Sequence, residues 1–108
     1  MEELDTNGAR CVIERSSDAN GDPLIAVSGE LDISNADSFR QTVETVVAEK
    51  PERLVFDLTG LSFIDSSGIA VMVYCANNVQ DVVLRHASTI VRRVVEATGL
   101  VDILQLDP

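Results

Sequence analysis

At 108 residues, with 45 % hydrophobic and 24 % charged side chains, the chain has the size and composition of one folded domain with a single core. Eighteen Asp and Glu stand against eight Lys and Arg for a net charge of −10, Lys50 is the only lysine, and aromatics make up 4 % with no Trp. Such a chain repels phosphates and offers little for base stacking, which excludes nucleic acid and favours a partner with a positive surface. No apolar run reaches the ~18 residues of a membrane span, and Met1-Glu2-Glu3-Leu4-Asp5 lacks the basic-then-apolar order of a signal peptide. No membrane partner and a cytoplasmic location are therefore expected.

Residues 1–9 are expected to be a flexible N-terminus to a domain covering 1–108. Cys11-Val12-Ile13-Glu14-Arg15 and Leu24-Ile25-Ala26-Val27-Ser28 then flank a loop containing Asn20-Gly21 and Asp22-Pro23, and read as an antiparallel hairpin. Gly29 marks the end of its second strand. From Ser34 the period changes to 3.6, with Ala36, Phe39, Val43, Val46 and Val47 on one helical face. Ser34 and Asp37 have capping-box spacing, and Lys50 before Pro51 supplies a stop.

Arg53 to Leu58 is a short apolar run suited to a buried strand, broken by Thr59-Gly60. Ile69 to Ala76 fits strand or helix equally well by composition. Parallel strands need a crossover, usually helical, and the stretch between Asp57 and Val82 has room for one. Ser67 to about Asn77 is accordingly predicted as a buried helix. Val82 to His86 is a further strand, Ser88 is an N-cap, and Ile90, Val91, Val94 and Val95 form the inward face of a last helix with Arg92 and Glu96 outside. Gly99 ends that helix with Leu100 folding back, and Ile103-Leu104 opens a short final strand. The order ββαβαβαβ predicts an α/β fold: a mostly parallel mixed sheet with one N-terminal antiparallel hairpin strand, and helices.

Within this order "SFIDSSGIAV", Ser62 to Val71, falls between a parallel strand and a helix N-terminus. Sites in open α/β sheets favour the carboxyl ends of strands. Free helix amides there also tolerate an added phosphate. The bland alternative has Ser66 as an ordinary N-cap and Gly68 as a packing residue. A serine hydrolase would need Gly-x-Ser-x-Gly, and Phe63-Ile64-Asp65-Ser66-Ser67-Gly68 lacks the first glycine, while His86 is the only histidine. Asp57 as a phosphoacceptor would need a lysine downstream, and none follows Lys50. Cys11 and Cys75 form no C-x-x-C, and the default for them is two reduced thiols, with a redox pair the less favoured reading. No Gly-x-x-x-x-Gly-Lys occurs, so no nucleotide-binding loop of its own, no cofactor, no metal and no catalytic residue are expected, and the chain reads as a non-enzyme.

Gly29-Glu30-Leu31-Asp32, Leu61-Ser62-Phe63-Ile64-Asp65-Ser66-Ser67-Gly68-Ile69 and Ala97-Thr98-Gly99-Leu100 resemble, in order and spacing, the anti-sigma factor antagonists of the STAS domain family. The resemblance runs from about residue 10 to residue 106. It implies a bacterial partner switch that governs transcription, as in stress responses. An unphosphorylated antagonist binds an anti-sigma factor with serine kinase activity and so frees a sigma factor. The kinase phosphorylates Ser66, and a metal-dependent phosphoserine phosphatase of the PP2C type restores it. Asp32, Ser34, Asp65, Ser67, Gly68 and Ile69 would surround the acceptor. Between Gly68 and Val82 the chain is shorter than is usual in the family and lacks its Gly-Gly, which implies a helix missing a turn. The alternative is a STAS module for ligand sensing, such as nucleotide binding, or for scaffolding a larger complex. That the chain ends at Pro108, just past the last strand, favours a free-standing switch.

Overall fold

The computed structural model describes residues 11–99 and 103–107. The flexible N-terminus expected at 1–9 and the fold-back of Leu100 lie outside the described residues. Strand β1 (Cys11–Ser17) and strand β2 (Pro23–Leu31) form the hairpin, with Cys11 opposite Gly29 and Ser17 opposite Pro23. Its loop is closed by Asp18, whose carboxylate accepts the amides of Asn20 and Asp22, each at 2.9 Å. Gly21 supplies the φ of 83° that this turn needs.

Helix α1 (Ala36–Val47) buries Phe39, Val43 and Val46, as their spacing predicts. The expected capping box does not form. Asn35 occupies the cap position, and the Ser34 hydroxyl donates to Asp32 at 2.6 Å instead. After the helix, Lys50 adopts a left-handed φ of 57° just ahead of Pro51. Strand β3 (Arg53–Asp57) then pairs parallel with the first half of β2, Leu24 beside Val55.

The predicted order lacks one strand. Strand β4 (Leu61–Ile64) lies parallel to the second half of β2, with Gly29 beside Leu61 and Leu31 beside Ile64. One edge of β2 therefore serves β3 and β4 in succession, and the order becomes ββαββαβαβ among the described residues. The link is a tight turn in which Leu61 N donates to Leu58 O at 3.0 Å and Gly29 N to Gly60 O at 2.9 Å. Gly29 thus does not end β2. It carries a φ of 91°, and the ladder slips by a register step between Gly29 and Glu30, a place where glycine relieves backbone strain.

Helix α2 (Ser66–Asn78) confirms the topological choice of helix over strand. Ile69, Val71, Met72 and Cys75 are all buried, and a helix covered on most sides has no periodic signature to read. It keeps 13 residues, more than three turns. In place of Gly-Gly, the Asn78 side chain donates back to Tyr74 O at 2.8 Å and Val79 turns inward. Strand β5 (Asp81–Arg85) pairs parallel with β3, and strand β6 (Gln105–Asp107) with β5. Leu54, Val55 and Phe56 in β3 and Val82, Val83 and Leu84 in β5 are all buried, so these strands are covered on both faces. β6 begins two residues later than the predicted Ile103-Leu104; Leu104 is buried just ahead of it and Ile103 is exposed.

Ser88 caps helix α3 (Thr89–Ala97) by accepting the Val91 amide at 3.2 Å. Val91 and Val95 are buried and Val94 is half-buried, but Ile90, expected inside, is exposed. The buried stripe is centred between Val91 and Val95, which puts Ile90 roughly 120° around the helix. Gly99 has the left-handed φ, 75°, predicted for it. In the core Phe39 and Phe56 meet edge to face at 5.7 Å between centroids. α1 and α2 pack side by side, and the Arg40 guanidinium of α1 lies 5.6 Å from the Tyr74 ring of α2.

Candidate functional site

Two loops emerge together where the parallel strands β2 and β4 end. Leu31 lies beside Ile64, and the Asp65 amide continues the ladder by donating to Leu31 O at 3.1 Å. This single register places the Asp32–Asn35 loop next to the start of α2. Asp32, Ser34, Asp65, Ser66, Ser67 and Gly68 all belong to this end of the sheet, as the sequence groups them.

Asp65 caps the helix. Its backbone is extended, with φ −112° and ψ −172°, and its carboxylate accepts Ser67 N at 2.8 Å and Gly68 N at 3.4 Å. Ser66, the N-cap of the bland alternative, is instead the first helical residue and is exposed. Its hydroxyl lies outside the cap's hydrogen bonds. Two of the helix's first amides, those of Ser67 and Gly68, are held by Asp65.

Gly68 is buried, and a Cβ there would lie 2.7 Å from Leu31 Cδ2, 2.8 Å from Leu31 Cγ and 2.9 Å from Ile64 Cγ1. The close approach of α2 to both strand ends depends on this missing side chain. Ile69 is buried as well, and its amide donates to Asp65 O at 3.1 Å, so it anchors the helix from inside. Ser67 is half-buried behind Ser66. The two serines, equivalent in composition, differ in exposure.

On the neighbouring loop, Asp32 accepts from both the amide and the hydroxyl of Ser34, at 2.9 and 2.6 Å. The sequence reading passes over Asn35, which ties this loop at two points. Its carbonyl oxygen accepts Asp32 N at 3.0 Å and its amide donates to Glu30 O at 2.9 Å. An Asn immediately before a periodic apolar run is a helix-start signal, and it could have been found that way.

Cys11, opposite Gly29, is close enough to this loop that its thiol is pushed up by burial and then by the Asp32 carboxylate. Cys75 is fully buried on α2, and burial pushes its thiol up to about 12. Both cysteines are free. Because only the thiolate reacts, a thiol reagent at pH 8 should modify half-buried Cys11 in the folded protein and leave Cys75 untouched until denaturant is added. Two fast-labelling sites in the native protein, by intact mass, would contradict this packing.

Asp57 sits at another strand end. The Thr59 hydroxyl at 2.6 Å holds its carboxyl below the usual range, helped by the Thr59 amide and by His86 and Arg85. Among the described residues, no group of three or more His, Cys, Asp and Glu is placed to hold a metal, and no helix is long and apolar enough to cross a membrane.

An antiparallel hairpin feeding a parallel sheet, with a serine-bearing helix start set beside the loop after β2, defines a STAS-type α/β domain. The chain belongs to the STAS domain family, whose profile matches residues 10–108. It is similar to the anti-sigma-F factor antagonist RsfB of Mycobacterium tuberculosis, 32 % identical over 56 residues, or 52 % of this chain. That match spans 46 % of RsfB, less than half of the relative's length. A second antagonist from the same organism, RsfA, is 31 % identical over 91 residues, covering 79 % of this chain and 71 % of RsfA. Among solved structures, an anti-sigma factor antagonist from Mycobacterium paratuberculosis superposes with a TM-score of 0.83 at 25 % identity, covering 100 % of this chain and 91 % of that one.

Proposed function

We propose that this protein is an anti-sigma factor antagonist that works as a phosphorylation switch. Its unphosphorylated form binds an anti-sigma factor with serine kinase activity, so that a sigma factor is released. The kinase transfers phosphate to Ser66, the complex separates, and a PP2C-type phosphatase resets the protein by hydrolysing the phosphoserine. The protein acts in the cytoplasm by binding rather than by catalysis, without cofactor or metal of its own.

The observation that carries this reading is the cap. Asp65, not Ser66, satisfies the first amides of α2, which leaves an exposed hydroxyl at the tip of a helix with no structural duty. Asp32 and Asp65 lie on the two loops that meet there, and a docked partner would remove water from both. The acidic surroundings suit a partner whose surface is basic.

Incubation with the serine-kinase anti-sigma factors of the source organism and ATP, followed by mass-spectrometric mapping, tests the proposal. Phosphate should appear on Ser66 and on neither Ser67 nor Ser34. Kinases that bind the protein yet leave Ser66 unmodified would instead support a scaffolding module.

A further inference from the structure

The loop after β2 ties its polar groups to one another and leaves one apolar side chain exposed. Asp32 takes the amide and hydroxyl of Ser34, Asn35 takes the amide of Asp32 and donates to Glu30 O, and Asn35 N donates to Asp32 O at 3.1 Å. Ile33, between them, is 81 % exposed, the most exposed of the large hydrophobic residues among the described residues. Five hydrogen bonds thus lock a turn whose tip is an isoleucine in water. A lone surface isoleucine on a mobile segment would carry no argument, since single exposed apolar residues are common. This one is preorganised, and preorganisation reduces the ordering cost of binding.

Its position also connects it to the switch. Leu31 and Ile64 are side by side in β2 and β4, and the chain runs two residues on from each to reach Ile33 and Ser66. Phe63 of β4, beside Glu30 in the ladder, is 45 % exposed and adds a second apolar surface to this end of the sheet. Four acidic residues, Glu30, Asp32, Asp37 and Asp65, lie on the strand end, loop and helix starts at this end of the sheet. The result is an apolar knob within an acidic rim.

We propose that Ile33 is the apolar anchor of the interface, inserted into a basic-rimmed pocket of the anti-sigma kinase when that partner docks over Ser66. The inference rests on the proposed function and adds the residue that sets affinity for the unphosphorylated state. Ile33 contributes affinity and discrimination between related kinases; Ser66 contributes the switch. Asn35 is its positioning residue, because the two hydrogen bonds of its side chain hold the turn in the shape that presents Ile33.

The test measures dissociation constants for wild type, Ile33→Ala, Ile33→Leu and Ile90→Ala against the source organism's serine-kinase anti-sigma factors, with circular dichroism melts of each. Ile33→Ala should bind about tenfold or more weakly with an unchanged melt, the size expected of a central apolar anchor. Ile33→Leu should retain most of the affinity, and Ile90→Ala, which removes an equally apolar exposed side chain on α3, should match wild type. An Ile33→Ala protein that binds within twofold of wild type overturns the anchor and leaves the proposed function standing. A wild-type protein that binds none of these kinases overturns the function and the anchor together.

Discussion

Ser66→Asp should melt at the temperature of the wild-type protein and bind an anti-sigma factor at least roughly 100-fold more weakly than Ser66→Ala, a difference of about 2.7 kcal/mol. The fold is indifferent because Ser66 is exposed and the helix is capped by Asp65. Neither variant disturbs a hydrogen bond of the cap. The interface is sensitive because a docked partner dries a patch that already holds Asp65 and, on the adjacent loop, Asp32. A new charge without its own partner costs several kcal/mol in such a place. Phosphoserine carries about −1.5 to −2 charges at neutral pH, so the modified protein should bind more weakly still. Calorimetric titration of both variants against one kinase checks the pair. Equal affinities would remove the switch from Ser66.

Gly68→Ala should destabilise the fold by about 1–3 kcal/mol, the usual cost of forcing a methyl group into a packed core. In an exposed helix the same change stabilises by about 1 kcal/mol, so the sign of the result is diagnostic. Here the added Cβ meets Leu31 and Ile64 at 2.7 to 2.9 Å, and both residues are buried. To make room, α2 must move away from the two strand ends that align Asp32 with Ser66. Partner binding should therefore fall together with stability, whereas Ser66→Ala should lower neither. Urea unfolding and the titration above distinguish the outcomes; a Gly68→Ala protein more stable than wild type would mean that α2 is not held against Leu31.

Much of this architecture is written in local patterns. The hairpin, the burial of Phe39, Val43 and Val46 in α1, the Ser88 cap and the positive φ at Gly99 follow from periodicity and turn chemistry. Topological reasoning assigned α2 to helix where periodicity was silent. β4 escaped because a four-residue strand beside a turn has too few residues to show alternation. The cap residue escaped because Asp65 and Ser66 are both good caps by type. Only the ladder from Leu31 O to Asp65 N decides which of them begins the helix. Ile33 carries no signal at all in a linear reading, since its exposure follows from how Asp32 and Asn35 spend their hydrogen bonds.

The sequence by itself determined that this is one acidic α/β fold of STAS type, and it placed a serine pair at a strand-to-helix junction. Those conclusions depend on hydrophobic period, turn residues and motif order, which are properties of neighbours along the chain. Only the tertiary structure decided that β2 serves two strands on one edge and that Asp65 rather than Ser66 caps α2. It also decided that the loop carrying Ile33 and the helix start carrying Ser66 leave the sheet from paired strand ends. These features rest on hydrogen bonds and contacts between residues some thirty positions apart, such as Leu31 with Asp65 and Gly68, and no local pattern encodes which of those distant groups will meet.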